Sequence, residues 1–349
     1  MPPMNTTTEL IDLRTDTVTR PTTAMLEAMQ SATQGDDSRD GDATVMKLEA
    51  LAAARTGKEA GLFLPSGTMT NLVAVLAHTS RAGEVLIECT AHMLNTELGG
   101  MSAVAGVFYK AIDGHRGAMN EEKLAEAIRP MTRNNFGTSL ICLENSHNNA
   151  GGAVLPLAHM ARVHALARGH GVPVHTDGAR LFNAATALGV SAAEVAQHTD
   201  SVSFCVSKGL SAPIGSLLCG PRAFIERARP FRRMVGGNMR QAGFIAAAGI
   251  VALETMMDRL HEDHATARQL AAGLAAIDPA LTDPAEVETN IVRMQVGHTG
   301  RSASDWSAAL QARGIAVSPA DNRSLRFVTH RHITATDIDR AIAACRAVR

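Results

Sequence analysis

The sequence predicts an α/β protein: a large domain with a mainly parallel sheet covered on both faces, followed by a small α+β domain. Three observations carry that expectation. From residue 35 to residue 220, short apolar runs rich in β-formers alternate with Ala-rich helical windows, the rhythm of parallel strands joined by helical crossovers. With 349 residues and 46% hydrophobic content, the chain exceeds the size at which single cores stop growing. After Pro279 the pattern changes to shorter strand-like runs between two amphipathic helices.

The strand candidates are residues 60–64, 84–88, 138–144, 172–177, 201–206 and 215–220, each apolar and bounded by turn-forming residues. Helical windows include 68–78 and 156–168. Ala/Arg/Glu-rich helices from Arg222 to about Ala276 then read as a bridge out of the first domain. Beyond them come TNIVRMQV, a helix over 304–313, GIAVS, SLRFVTH and a terminal helix over 335–348. These elements divide the chain into an N-terminal segment (1–30), a large domain (31–250) and a small domain (251–349), with a soft boundary at 250.

Composition narrows the function classes. Lys+Arg 33 against Asp+Glu 34 gives a net charge of -1, which argues against nucleic acid or an anionic membrane as partner. Five scattered cysteines with no CxxC pair read as free thiols in a reducing compartment, and the cytoplasm fits. The first twenty residues lack the basic start and apolar run of a secretory signal, and no stretch approaches eighteen uninterrupted apolar residues.

Four segments carry chemistry in order. Ser66, Gly67 and Thr68 stand between an apolar strand and a helix, where the glycine lets the backbone approach an anion and the helix N-terminus favours phosphate. An ordinary Ser/Thr cap is the commoner use of such a triplet taken alone. His92 follows the second strand candidate, placed to stack on a flat ring or carry a proton. Asp177, in HTDGAR, sits just past a strand, where ligands of open α/β sheets collect and a carboxylate can keep a pyridine nitrogen protonated. Lys208 follows the apolar run SVSFCVS, whose burial favours a nucleophilic amine. A lone lysine there would be a solvated loop residue, but successive parallel strands bring Asp177 and Lys208 to one sheet edge. Arg180, Arg240 in GGNMRQAG and Arg326 in SLRFVTH are candidate anion contacts, the last suited to bidentate capture of a carboxylate.

Taken together, IDLRTDTVTRPT, GDD, PSGTMTNL, AHMLNTELGG, LENSHN, HTDGARLFNA, SFCVSKGL, GGNMRQAG and LRFVTH resemble the threonine aldolase family of fold-type I pyridoxal-phosphate enzymes, over almost the whole chain. The resemblance implies a seven-stranded, mainly parallel sheet, and pyridoxal 5'-phosphate bonded covalently to Lys208. Asp177 would contact its ring nitrogen, His92 stack on the ring, and Ser66, Gly67 and Thr68 hold its phosphate. Arg180, Arg326 and Thr15 would bind the carboxylate of an amino-acid substrate, and Arg240 would reach the phosphate of an adjoining subunit in a homotetramer built as a dimer of dimers. No metal ligand is assigned. The implied reaction is retro-aldol cleavage of threonine-type β-hydroxy-α-amino acids to glycine and an aldehyde. Transamination or β-elimination on the same scaffold, or specificity for phenylserine or 3-hydroxyaspartate, are the alternatives. The chain departs from the family at GDDSRDGD, where Arg39 replaces an active-site tyrosine, and at Leu94, Asn95 and Thr96, which replace larger groups.

Overall fold

A computed structural model describes residues 10–349; the first nine residues, the start of the expected N-terminal segment and of the stretch read for a signal, lie outside the described residues. The described chain forms two compact units, one running from Thr19 to Leu260 and one joining the residues up to Val18 with His261–Arg349. Helices Arg222–Met234 and Gly243–Thr255, expected as a bridge, belong wholly to the larger unit.

In the larger unit, seven strands among the described residues form one sheet: β1 (Ala60–Leu64), β2 (Glu84–Glu88), β3 (Phe108–Ile112), β4 (Thr138–Glu144), β5 (Val174–Asp177), β6 (Ser201–Cys205) and β7 (Ser216–Gly220). Their order is β1-β7-β6-β5-β4-β2-β3. Strands β2 to β6 pair in parallel, whereas β7 is antiparallel to both β6 and β1. Strand β1 therefore points the same way as β2 to β6, and these strands share one carboxyl edge. Every residue of β2, β5, β6 and β7 is buried, as expected of strands covered on both faces. Strand β3 is the one that sequence reading missed. It lies at the edge of the sheet with only Ile112 buried, so its FYKAI carries no apolar run.

In the smaller unit, Ile291–Gln295, Ser324–Val328 and Ser318–Asp321 make an antiparallel sheet packed with Trp306 and Phe327. Two of its helices, Ala303–Gln311 and Ala335–Val348, each begin in a capping box, Ser302 with Asp305 and Thr334 with Asp337. Ile11–Asp12 pairs in parallel with Ile315–Ala316.

One buried carboxylate ties three remote segments of the larger unit. Asp42 caps helix Ala43–Thr56 by accepting from Thr44 N and Val45 N at 2.9 and 3.1 Å, and also accepts from Gly35 N and Gly243 N at 2.9 Å each. A Cβ on Gly243 would fall 2.4 Å from Asp42 Oδ1, so the glycine is what admits this contact. Burial alone would raise the pKa of Asp42, but the four N–H donors bring it net below the ordinary carboxylate value. A depressed carboxylate stabilises the fold above its unfolded pKa, and that contribution is lost as pH falls through the folded value. Asp42→Ala is expected to cost about 2–3 kcal/mol, from a lost cap plus orphaned buried N–H groups. Asp42→Asn should cost less; denaturant unfolding at neutral pH reads the loss, and unfolding near pH 2, below the depressed folded value, reads its decline in acid.

Candidate active site

The shared carboxyl edge collects the cofactor-type residues singled out in sequence, with Glu144 beside them. Ser66, Gly67 and Thr68 follow β1, His92 follows β2, Glu144 ends β4, Asp177 ends β5 and Lys208 follows β6. The register sets Asp177 beside Ser203 on one side and Glu144 on the other.

Ser66 caps helix Gly67–His78, its hydroxyl accepting from Met69 N at 3.3 Å. A Cβ at position 67 would lie 2.9 Å from Cys205 Sγ, so Gly67 is what lets this helix begin directly against β6. The opening N–H groups of a helix have no partner within it, and here they start at the sheet edge where an anion could sit.

The same helix carries Asn71, buried beneath that edge. Its amide nitrogen donates to Asp177 Oδ2 at 2.9 Å and to Glu97 Oε1 at 3.0 Å. Asp177 also accepts from Ala179 N at 3.0 Å. Glu97 in turn lies 3.1 Å from His92 Nδ1, and ligand atoms of His92, Glu97 and Asp177 all fall within 4.8 Å of one another. The hydrogen bond to Glu97 raises the pKa of His92, reinforced by the charge of Asp177 against the opposing effect of burial. Glu97 is itself raised, first by burial and then by Asp177, so the pair readily holds a proton between them. His92 N donates to Glu144 Oε2 at 2.6 Å, which fixes the start of the short helix His92–Asn95.

Lys208 is half-buried in a turn anchored through its carbonyl, which accepts from Thr19 Oγ1 and Ser211 N, both at 2.8 Å. Arg180 is buried and donates to Asn148 Oδ1 at 3.2 Å. His147, from LENSHN, is committed elsewhere: its imidazole is buried 3.2 Å from Glu88 and 3.8 Å from Glu144. Arg240 is exposed on this chain, in contact with Ser38 and 3.6 Å from Asp36. Arg39 is also exposed and lies 4.0 Å from Asp36. Thr15 and Arg326 belong to the smaller unit, where Thr15 pairs with Thr17 at 3.0 Å and Arg326 sits in strand Ser324–Val328 with a contact to Arg14 O at 3.4 Å.

Asn71, Glu97, Glu144 and Ser203 were not singled out in sequence, although each lies inside a quoted motif. A buried carboxylate for a ring nitrogen, a glycine-opened helix start for a phosphate and a half-buried lysine on one edge fit a flat anionic cofactor of the pyridoxal-phosphate type.

Comparison with known proteins agrees. Residues 12–296 match the family model described as β-eliminating lyase. Low-specificity L-threonine aldolase 1 of Arabidopsis thaliana is 42% identical over 333 residues, covering 94% of this chain and 93% of its own. The low specificity L-threonine aldolase of Escherichia coli K12 is 40% identical over 339 residues, covering 97% and 99%. Among solved structures, the threonine aldolase of Leishmania major shares the fold with a TM-score of 0.83 at 17% identity, covering 97% of this chain and 99% of that one.

The raised His92 makes a direct expectation. Its imidazole should titrate above the ordinary value of about 6.5, and Glu97→Gln should bring it back down. A histidine with a raised folded pKa stabilises the fold below its unfolded value, and loses that contribution as pH rises through the folded one. Histidine NMR titration of both proteins reads the shift, and unfolding across pH 6–9 reads its linkage.

Proposed function

The chain belongs to the β-eliminating lyase family and, within it, to the low-specificity threonine aldolases, and we infer that it is a pyridoxal-phosphate-dependent aldolase. It cleaves β-hydroxy-α-amino acids of the threonine type to glycine and an aldehyde. The observation that carries the reading is the convergence of Gly67, His92, Asp177 and Lys208 on one sheet edge, with Asp177 held by Asn71.

The cofactor supplies an electron sink that accepts the pair released when the Cα–Cβ bond breaks. The chain's residues do the rest. Lys208 provides the amine for covalent attachment from its half-buried turn at the sheet edge. Asp177 places a fixed negative charge where the ring nitrogen would lie, which costs no reorganisation at the moment of reaction. Ser66, Gly67 and Thr68 offer hydroxyls and N–H groups to the phosphate. Arg180, with Thr15 and Arg326, orients the substrate through its carboxylate, and that orientation selects which bond at Cα is aligned for cleavage. Glu97 raises the proton affinity of His92, equipping that imidazole to take the β-hydroxyl proton near neutral pH.

The proposed assembly is a homotetramer in which Arg240 reaches a neighbouring subunit's phosphate. Its exposure on this chain, and that of Leu98, Phe108 and Tyr109, support an interface. The proposed compartment is the cytoplasm: all five cysteines are free, and among the described residues no helix is long and apolar enough to cross a membrane.

Incubation with threonine should release glycine and acetaldehyde in equal amounts, followed by mass spectrometry and coupled reduction of the aldehyde. Lys208→Ala should abolish turnover while leaving the circular dichroism spectrum intact, and Asp177→Asn should lower kcat on the order of a hundredfold or more. A keto acid as the main product would replace this reading with transamination or β-elimination.

A further inference from the structure

We propose that His175, Ser201 and Ser203 are positioning residues that lock the side-chain amide of Asn71 in one orientation, and through it hold the Asp177 side chain in place at the sheet edge. The proposal rests on the aldolase reading only for what Asp177 does.

The placement follows from two periodicities. His175 and Asp177 are two residues apart on β5, and Ser201 and Ser203 two apart on β6, so all four project from one face of the sheet. The register pairs His175 with Ser201 and Asp177 with Ser203. Helix Gly67–His78 packs on β6, and its residues Asn71 and His78, two turns apart, lie on one side of the helix. The result is a line of polar groups running inward from the sheet edge, in which Asn71, His175, Ser201 and Ser203 are all buried.

The proton positions along that line follow from its outer end. Two carboxylates face the Asn71 amide nitrogen, and carboxylates only accept, so the nitrogen must face them and the carbonyl must face inward. Asn71 Oδ1 then accepts from Ser203 Oγ at 2.8 Å and from His175 Nε2 at 3.4 Å, the longest link. Burial lowers the pKa of His175 to about 4 and that of His78 to about 3, so both rings are neutral at working pH. A neutral His175 protonated on Nε2 has a bare Nδ1, which accepts from Ser201 Oγ at 2.9 Å. Ser201 Oγ, having spent its proton, accepts from His78 Nε2 at 2.7 Å. His78 is itself held in place by stacking on Phe224, with ring centroids 4.1 Å apart.

Every donor in the line therefore points toward Asp177. If the amide of Asn71 flipped, its carbonyl would face two carboxylates, while its NH2 would confront the His175 and Ser203 donors. The inner residues thus oppose a rearrangement that would remove the Asn71 donor from Asp177 and turn a carbonyl dipole against it.

The test uses the holoenzyme labelled with 15N-histidine, assigned by single substitutions. His175 and His78 are expected as neutral Nε2–H tautomers at pH 7. An imidazolium, or an Nδ1–H tautomer of His175, overturns the proposal whatever reaction the enzyme catalyses. In parallel, His175→Leu should lower kcat about tenfold, the scale on which orienting groups act, with KM for the amino acid within about twofold. His175→Gln, which keeps a donor toward Asn71 and an acceptor toward Ser201, should recover most of that loss. Equal kcat in the Leu and Gln variants, with both folded by circular dichroism, would refute the positioning role, whereas failure of the aldolase reading would show instead as a different product from the unmodified enzyme.

Discussion

The side-chain amide of Asn71 gives both its hydrogens to carboxylates, one to Asp177 and one to Glu97. Two buried acids so close together would otherwise repel. Sharing one amide lets Asp177 remain an acceptor while Glu97 turns its charge toward His92. The site's acid–base division starts from that bridge: a fixed anion on one side, and on the other an imidazole whose proton affinity is raised.

The bridge depends on how closely helix Gly67–His78 approaches the sheet. Gly67 permits the approach at its first turn, where a methyl group would meet Cys205. The same close start brings the helix N-terminus to the edge where a phosphate would bind, so cofactor anchoring and carboxylate control come from one docking event. Further from the edge, Asp42 performs a comparable task for the scaffold, collecting four backbone donors, one of them from Gly243, 201 positions away. In both places a buried charge is tolerated because its hydrogen-bonding capacity is filled.

The position of Arg39 bears on substrate scope. In this chain it is solvent-exposed and pairs with Asp36, and Arg240 shares the same acidic partner. Arg326 and Thr15 belong to the unit that combines the N-terminal residues with the C-terminal part of the chain.

Much of this was legible in the sequence. Apolar runs bounded by turn residues marked six of the seven strands, because central strands buried on both faces must be apolar along their length; edge strand β3, largely exposed, left no such mark. His92, Asp177 and Lys208 could be located because a parallel sheet brings the ends of its strands to a common edge. Asn71, Glu97, His175 and Ser203 were visible as letters within motifs, but their roles were not. Those roles depend on strand register and on the depth at which one helix docks, which bring residues more than a hundred positions apart into hydrogen-bond contact. Likewise Asp42 read as one acid in an acidic run until the fold brought Gly243 N to it. The sequence by itself determined the elements, their order and the residue types at the sheet edge, since these follow from local pattern. Only the tertiary structure decided which polar groups meet and hence which way their protons point, because a hydrogen bond's direction is set by both partners at once.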